Sequence, residues 1–380
     1  KLAQKKLSSW MQAKPINVPV SLRPGKAFVQ PDPLGCVLII GPWNYPFSLT
    51  LQPLVGALAA GNTAVLKPSE HSPNVSSLIK KLIEKYFEPN IAQVIEGDGN
   101  IAANLMTEKF DHVFFTGGEN IGKKIMEAAA KNLTPITLEL GGKSPAVVID
   151  GANLEVTARR IIWGKSLNAG QTCIAPDHLL VEQKLFNSLI SKLKKSINDF
   201  YGDNPLNSKH LGSIINQSQF NRLNNLLKQA KSNGQIIYGG ECNESEKRIS
   251  PTLIKIENRK DNLMKEELFG PLLPILCIKN LDEAISDFKS LPKPLALYLF
   301  GGQEKDQKRI LSMTSSGGVC FNDVVLQAGI PDLPFGGVGS SGMGKYHGKA
   351  GFDNFTHYKS ILKRPFWLDL NFRYPPYKLD

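Results

Sequence analysis

The sequence predicts an α/β fold: a doubly wound, parallel-stranded domain followed by a second α/β set. Three observations predict it. Short apolar runs alternate with longer helical stretches, the runs are near-continuous rather than alternating, and several end on glycine, proline or polar residues. A strand buried on both faces needs an unbroken apolar run, and the helices between such strands cover those faces. Strand, helix, strand, helix is the order of a parallel sheet.

In the first half, strands are predicted over 36–40, 63–66, 92–95 and 112–115, with helices over 49–60, 74–86 and 122–131. Ligands in doubly wound sheets sit at the carboxyl ends of the strands. Those ends carry Gly41-Pro-Trp-Asn44, Lys67-Pro-Ser-Glu70 and Thr116-Gly117-Gly118. After a Gly141-Gly142 hinge, strands are predicted over 146–149, 178–181, 235–238, 272–278 and 295–300, and helices over 186–200 and 220–230.

A chain of 380 residues has room for two packed domains. Hydrophobic residues make up 42% and charged residues 21%, which excludes a wholly disordered chain, a collagen-like repeat and a coiled coil. Lys plus Arg is 45 against 34 Asp plus Glu, a net charge of +11, with no basic block that would mark a nucleic-acid binder. The five cysteines are odd in number and form no CxxC pair, which argues against a disulfide scaffold or a Cys-rich zinc site and fits a reducing cytoplasm. The histidines show no metal-ligand spacing, and no apolar run reaches the ~18 residues of a membrane helix. The chain opens on Lys1 in mid-pattern without Met, so a preceding N-terminal stretch is expected.

Several residues stand out chemically. Cys173 lies in Asn168-Ala-Gly-Gln-Thr-Cys173, among small and polar residues, whereas Cys36, Cys277 and Cys320 lie in apolar runs and Cys242 in a polar loop. A nucleophilic thiol needs a partly polar site that favours thiolate, so Cys173 is the candidate; the alternative is a small buried residue. Glu139 interrupts an apolar run just before Gly141-Gly142. Among apolar neighbours a carboxyl pKa rises and the group becomes a better general base; otherwise it is a solvent-facing sheet residue. The Asn44 amide, at a strand end, suits an oxyanion donor, or simply a turn. Gly117, Gly118 and Gly122 resemble a dinucleotide turn without matching G-x-G-x-x-G. Lys67 and Glu70 suit a ribose diol, or are solvated charges. The glycine-dense stretch from Phe335 to Lys345 reads as a flexible loop, and no Walker-type phosphate loop occurs.

Taken together these motifs say more. Pro42-Trp-Asn-Tyr-Pro46, Lys67-Pro-Ser-Glu70, Phe115-Thr-Gly-Gly118, Leu138-Glu-Leu-Gly-Gly-Lys143, Gly170-Gln-Thr-Cys173, Glu267-Leu-Phe-Gly-Pro271 and Pro334-Phe-Gly-Gly-Val-Gly339 occur in this order. The series resembles the aldehyde dehydrogenase superfamily over about 19–376. Gln171-Thr-Cys-Ile-Ala-Pro-Asp177, Ser315-Ser-Gly-Gly318 and Gly342-Met-Gly-Lys-Tyr-His-Gly348 resemble its class 3 branch. One departure is that family members begin with a helical N-terminal stretch that precedes the region present here.

The resemblance implies a Rossmann-like cofactor domain over 34–140, an α/β catalytic domain over 141–350 and a small β-rich oligomerisation element. Residues 1–33 would be a remnant of the N-terminal and bridging region, and 351–380 a bridging and dimerisation segment. It implies NAD(P)-dependent oxidation of a medium or long aliphatic, aromatic or apocarotenoid aldehyde to the acid, without a metal. Cys173 would form the thiohemiacetal and thioester, Asn44 and the Cys173 N–H would hold the oxyanion, and Glu139 would activate water. Glu267 would bind the nicotinamide ribose, Phe269 would pack near the nicotinamide, and Lys67 and Glu70 would hold the adenosine ribose. A carboxylate at Glu70 favours NAD over NADP. Gly117 and Gly118 would line the cofactor's approach. A cytoplasmic homodimer is implied. Lys359, Lys363, Arg364, Arg373 and Lys378, interleaved with Phe366, Trp367, Tyr374 and Tyr377, add an expected peripheral membrane contact. Two other readings remain: an acyl-group reductase of the same fold, which needs the cysteine but no water-activating carboxylate, and a non-catalytic cofactor-binding protein, which needs neither.

Overall fold

Two extended sheets organise the chain, seen in a computed structural model that describes residues 1–377. Lys378 and the side chain of Phe372 lie outside what it describes. The first sheet orders its strands as Gly342–Met343, Ile136–Glu139, His112–Thr116, Cys36–Ile40, Thr63–Lys67 and Ala92–Val94. All pairings are parallel except that of Gly342–Met343. From Cys36–Ile40 the chain winds outward to one side through Thr63–Lys67, then returns to the other side at His112–Thr116. That reversal opens a crevice at the carboxyl ends, where Gly41 to Asn44 and Thr116 to Gly118 emerge.

The apolar runs follow from burial on both faces. Val37 and Ile39 belong to one core cluster, Leu38 and Ile40 to another on the opposite face. The helices Pro46–Ala59, Pro73–Tyr86 and Glu119–Ala130 cover the faces. Each starts before its predicted position, because Pro46 and Pro73 sit in the first turn and Gly118 is the N-cap.

The second sheet orders Ile236–Tyr238, Thr252–Lys255, Leu272–Ile278, His178–Glu182, Pro145–Val148, Ala296–Phe300 and Gly318–Phe321. Only the first pairing is antiparallel. Val147 and Ala146 again feed opposite core clusters. Helices Leu154–Ser166, Leu281–Ser290 and Glu304–Met313 were not anticipated from the pattern.

A third, antiparallel sheet joins Lys14–Ile16, Lys26–Pro33 and Thr356–Lys363, pairing Pro33 with Thr356 and Lys26 with Lys363. Two expectations change. Gly342–Met343, expected within the second domain, pairs instead with Leu138 and Glu139 of the first sheet. Within the expected dimerisation segment, Phe352 and Phe355 are buried in this chain's own core, against Trp10, His112 and Phe114. Leu362, Phe366 and Trp367 are exposed.

Candidate active site

The two main sheets meet at their carboxyl ends around a cavity of about 570 Å³. Its most constrained wall is the loop before Cys173. Helix Leu154–Ser166 ends in a turn where Asn168, Ala169 and Gly170 all take positive φ, at 52°, 54° and 77°. L-residues adopt this region reluctantly, so the surroundings must impose it. Asn168 Nδ2 donates to the Asn44 carbonyl at 2.9 Å. Buried Gln171 donates through Nε2 to the carbonyls of Asn168 (3.0 Å) and Ser213 (3.1 Å), and its Oε1 accepts the Ile215 N–H at 2.9 Å. The Tyr45 hydroxyl meets Thr172 Oγ1 at 2.7 Å. At Gly170 a Cβ would lie 2.3 Å from the Gly270 carbonyl oxygen, so only glycine lets this loop rest on the 267–271 segment.

Asn44 faces the loop from the first sheet. Its Nδ2 donates to the Gln171 carbonyl at 3.0 Å, which uses one amide hydrogen and leaves the other for the cavity among the described residues. Glu139 ends its strand 2% exposed, and neither carboxylate oxygen has a hydrogen-bond partner among the described residues. Burial pushes its pKa well above the usual carboxylate range. Gly336 closes over it: a Cβ there would come within 3.1 Å of Glu139 Oε1.

Burial also pushes the Cys173 thiol up to about 12; the carboxylates of Glu267 and Glu139 add to the rise, and the N–H groups of Cys173 and Ile174 oppose it. This corrects the expectation of a thiolate-favouring loop. The neighbours are polar, but burial opposes the thiolate, and the two acidic side chains beside the sulfur are themselves raised by burial. Glu267 is pushed to about 8 by burial and by Asp177, with the Gly142 N–H and the ammoniums of Lys143 and Lys165 opposing. Its carboxylate lies over Gly141, where a Cβ would stand 2.1 Å from Oε2. Phe269, at φ 49°, sets its ring edge-to-face with Trp43 at 5.3 Å.

The cavity thus gathers Asn44, Gly117, Gly118, Glu139, Cys173, Glu267 and Phe269. It does not gather the rest. Lys67 and Glu70 pair with each other at 2.8 Å at a neighbouring strand end, outside the lining. Gly122 is buried inside helix Glu119–Ala130, where a Cβ would press on Leu140 at 2.8 Å; its role there is packing. Sequence reasoning missed Trp43, Tyr45, Arg222, Tyr346 and His347 in the lining. Four of them sit inside quoted motifs; for Arg222 the sequence carries no such signal. Among the described residues no cluster of His, Cys, Asp and Glu could hold a metal ion, and no helix is long and apolar enough to cross a membrane.

A half-buried thiol, an amide donor and an unpaired carboxyl face one cleft, an arrangement suited to an enzyme. Comparison with known proteins narrows that. The aldehyde dehydrogenase family model matches residues 6–361. The chain is 47% identical over 378 residues to 4,4'-diaponeurosporen-aldehyde dehydrogenase of Staphylococcus aureus, covering 100% of this chain and 82% of that one. It is 46% identical to the dimeric NADP-preferring aldehyde dehydrogenase of Mus musculus, covering 95% and 79%. A substrate-bound Staphylococcus aureus AldH structure superposes with a TM-score of 0.95 at 46% identity, covering 99% and 81%. Lactaldehyde dehydrogenase from Escherichia coli superposes at 0.86 with 27% identity, covering 95% and 77%. The chain belongs to the aldehyde dehydrogenase family, with relatives of its class 3 branch, and oxidises an aldehyde with NAD or NADP.

The cleft fits such a dinucleotide. Space is open where a Gly118 Cβ would stand, and among the described residues no side chain caps the helix that begins there, so its first N–H groups are available to phosphate.

Proposed function

We propose that this chain converts an apolar aldehyde to its carboxylic acid by covalent catalysis at Cys173. The observation that carries the reading is the convergence of Cys173, Asn44 and Glu139, from two different sheets, on one cavity. Cys173 Sγ adds to the aldehyde carbon and the carbonyl π electrons move to oxygen. The free amide hydrogen of Asn44 and the Cys173 N–H receive that oxyanion. When bound, the oxidised nicotinamide supplies a hydride acceptor and a positive charge that favours thiolate. Loss of the former aldehyde C–H as hydride to that acceptor, with the oxyanion's electrons re-forming the carbonyl, would leave a thioester on Cys173. Glu139 then takes a proton from water, the water oxygen adds to the thioester carbon, and the carbonyl re-forms as the Cys173 thiolate leaves. Its lack of fixed partners supports this role, because a base must exchange partners during the cycle. A water-activating carboxyl also favours this reading over an acyl-group reductase or a non-catalytic cofactor binder.

Within this reading Glu267 holds the nicotinamide ribose, Phe269 borders the nicotinamide, and Gly117 and Gly118 admit the pyrophosphate. Lys67 and Glu70 hold the adenosine ribose, and the Glu70 carboxylate favours NAD over NADP. The domain limits 34–140 and 141–350 belong to the same proposal, Gly342–Met343 excepted. Apolar lining by Leu49, Leu167, Ile174, Leu326 and Phe335 supports a medium or long aliphatic, aromatic or apocarotenoid aldehyde. Unpaired cysteines support a cytoplasmic setting. Exposed Leu362, Phe366 and Trp367 beside Lys363 and Arg364 support a homodimer in which these side chains pack across the interface, read by light scattering; the competing use of the same surface, a peripheral contact with anionic lipid, is read by vesicle cosedimentation at low and high salt.

The central test is Cys173→Ala, assayed by NADH production from a medium-chain aldehyde. Turnover falls to background while NADH binding stays near the parent value. Turnover above a few per cent would overturn the assignment.

A further inference from the structure

Two charged residues left over from the quoted motifs meet in the structure. Lys143 ends the 138–143 motif and Asp177 ends the 171–177 motif. They form an ion pair in which Asp177 is almost wholly buried. Lys143 Nζ also donates to the carbonyls of Leu263 and Glu266, both at 2.9 Å. Asp177 Oδ2 accepts the Leu268 N–H at 2.8 Å. One ion pair therefore holds three backbone groups of the 263–268 stretch, two of them directly flanking Glu267. Arg222 Nη2 adds a bond to the Leu268 carbonyl at 2.6 Å.

The other side of the pair is tied to the remaining walls. Lys143 follows Glu139 by four residues, and Asp177 follows Cys173 by four. The Asp177 N–H donates to the Ser144 carbonyl at 2.7 Å, and the Ala175 N–H to the Thr172 carbonyl at 2.9 Å. The pair is thus the junction of the Glu139 strand exit, the Cys173 loop and the 267–269 segment. Burial by itself would raise the Asp177 pKa, but Lys143, His178 and Lys165 hold it below the usual carboxylate range, so Asp177 stays charged. For stability alone, two apolar side chains of similar volume serve as well as a buried ion pair. They would not bond three specified backbone groups.

We propose that the Lys143–Asp177 pair is a positioning clamp, which holds the 267–269 segment against the Cys173 loop and thereby sets cofactor affinity. The proposal rests on the reading of Glu267 as the nicotinamide-ribose ligand. Lys143→Met breaks the clamp and leaves Asp177 without its partner. The double variant Lys143→Met with Asp177→Leu removes both members of the pair, leaving the Glu267 carboxyl as the acidic neighbour of buried Lys165, and it carries the test if the single variant does not fold. Three quantities are read on the full chain: NADH dissociation constant by fluorescence, cofactor-free alkylation of Cys173 by iodoacetamide, and thermal midpoint. Glu267→Gln is measured beside them.

In the double variant alkylation stays within threefold, while the NADH dissociation constant rises at least tenfold, more than any fall in the thermal midpoint accounts for. A double variant with parent-like stability and parent-like NADH affinity overturns the clamp. So does a loss of affinity that only accompanies an equal loss of stability. If Glu267→Gln binds NADH like the parent while the double variant does not, the ribose assignment fails, and the clamp stands as acting on the segment through Phe269.

Discussion

The two walls of the cavity are built in opposite ways. The wall from the second sheet carries Cys173 on a loop whose amides are bonded at nearly every turn: Gln171 satisfies both ends of its side chain, and Asn168 reaches across to Asn44. The wall from the first sheet ends in Glu139, whose two oxygens touch no donor among the described residues. Of the two side chains proposed to react, one sits on a loop held by hydrogen bonds and the other is held by packing alone. A nucleophile works from one angle of attack, so its position is worth fixing. A proton carrier meets several partners in turn, so permanent bonds would hinder it. Strain follows the same division: three successive positive φ values occur on the bonded wall, where surrounding bonds can impose them.

The sharpest way to break this contrast is Glu139→Gln. Steady-state turnover should fall by roughly 10²–10⁴-fold, the range of a lost general base. A stopped-flow trace should still show a rapid burst of NADH followed by a slow phase. Equal loss of burst and steady state would move Glu139 to the activation of Cys173. Next comes Asn44→Ala, which removes one oxyanion donor and should cost about 10²–10³ in kcat. Here the burst itself slows, and an unchanged burst rate would exclude Asn44 from the oxyanion site.

Asn168→Ala tests the bonded wall by loosening it. It removes the tie to the Asn44 carbonyl and places alanine in the left-handed region. Turnover should drop about tenfold through misplacement of the thiol, well short of a lost catalytic group. Cofactor affinity should stay within twofold, and a large change there would show that the loop also shapes the dinucleotide site.

The smallest effect on activity is expected at the base of the packed wall. His112, beside the Glu139 strand, meets Thr137 Oγ1 at 2.9 Å, and Thr137 donates to Asn354 Oδ1 at 2.9 Å. Burial lowers the His112 pKa to about 4, below the 6.5 of the unfolded chain. The unfolded state therefore binds the extra proton first, and stability is lost as pH falls from about 6.5 to 4. The loss amounts to about 3 kcal/mol across that window. Urea titrations at pH 7, 6, 5 and 4 measure it, and His112→Gln should flatten the profile with little change in turnover at pH 7.

The sequence made strands such as Cys36–Ile40 and Ala296–Phe300 legible because they are near-continuously apolar and buried on both faces. It made the carboxyl-end motifs legible for the same reason, since they interrupt those runs. The three-stranded sheet was not legible. Lys26–Pro33 carries Pro31 and Pro33 and pairs with residues more than 300 positions away, so no local pattern announces it. The polar helix Glu304–Met313 buries little beyond Ile310, which leaves only a weak period to read. In the site, residue types were visible but partners were not. Cys173 stood out as a thiol among polar residues, yet the acidic side chains that face it, Glu139 and Glu267, come from distant parts of the sequence. Gln171 lay inside a quoted motif, but its bonds to Ser213 and Ile215 are tertiary.

The pairing of Gly342–Met343 with Leu138 and Glu139 bears on how the chain is made as well as on how it works. About 200 residues separate the two partners, which at ~5–20 residues per second is a delay on the order of 10–40 s of synthesis. Through that interval the nascent first sheet ends on Ile136–Glu139 with its outer backbone groups unpaired. An open strand edge recruits other strands. The tip of the sheet that carries Glu139 is therefore completed only after about 200 further residues have been added, and a ribosome stalled before Gly342 would hold out an unfinished, adhesive edge to its neighbours.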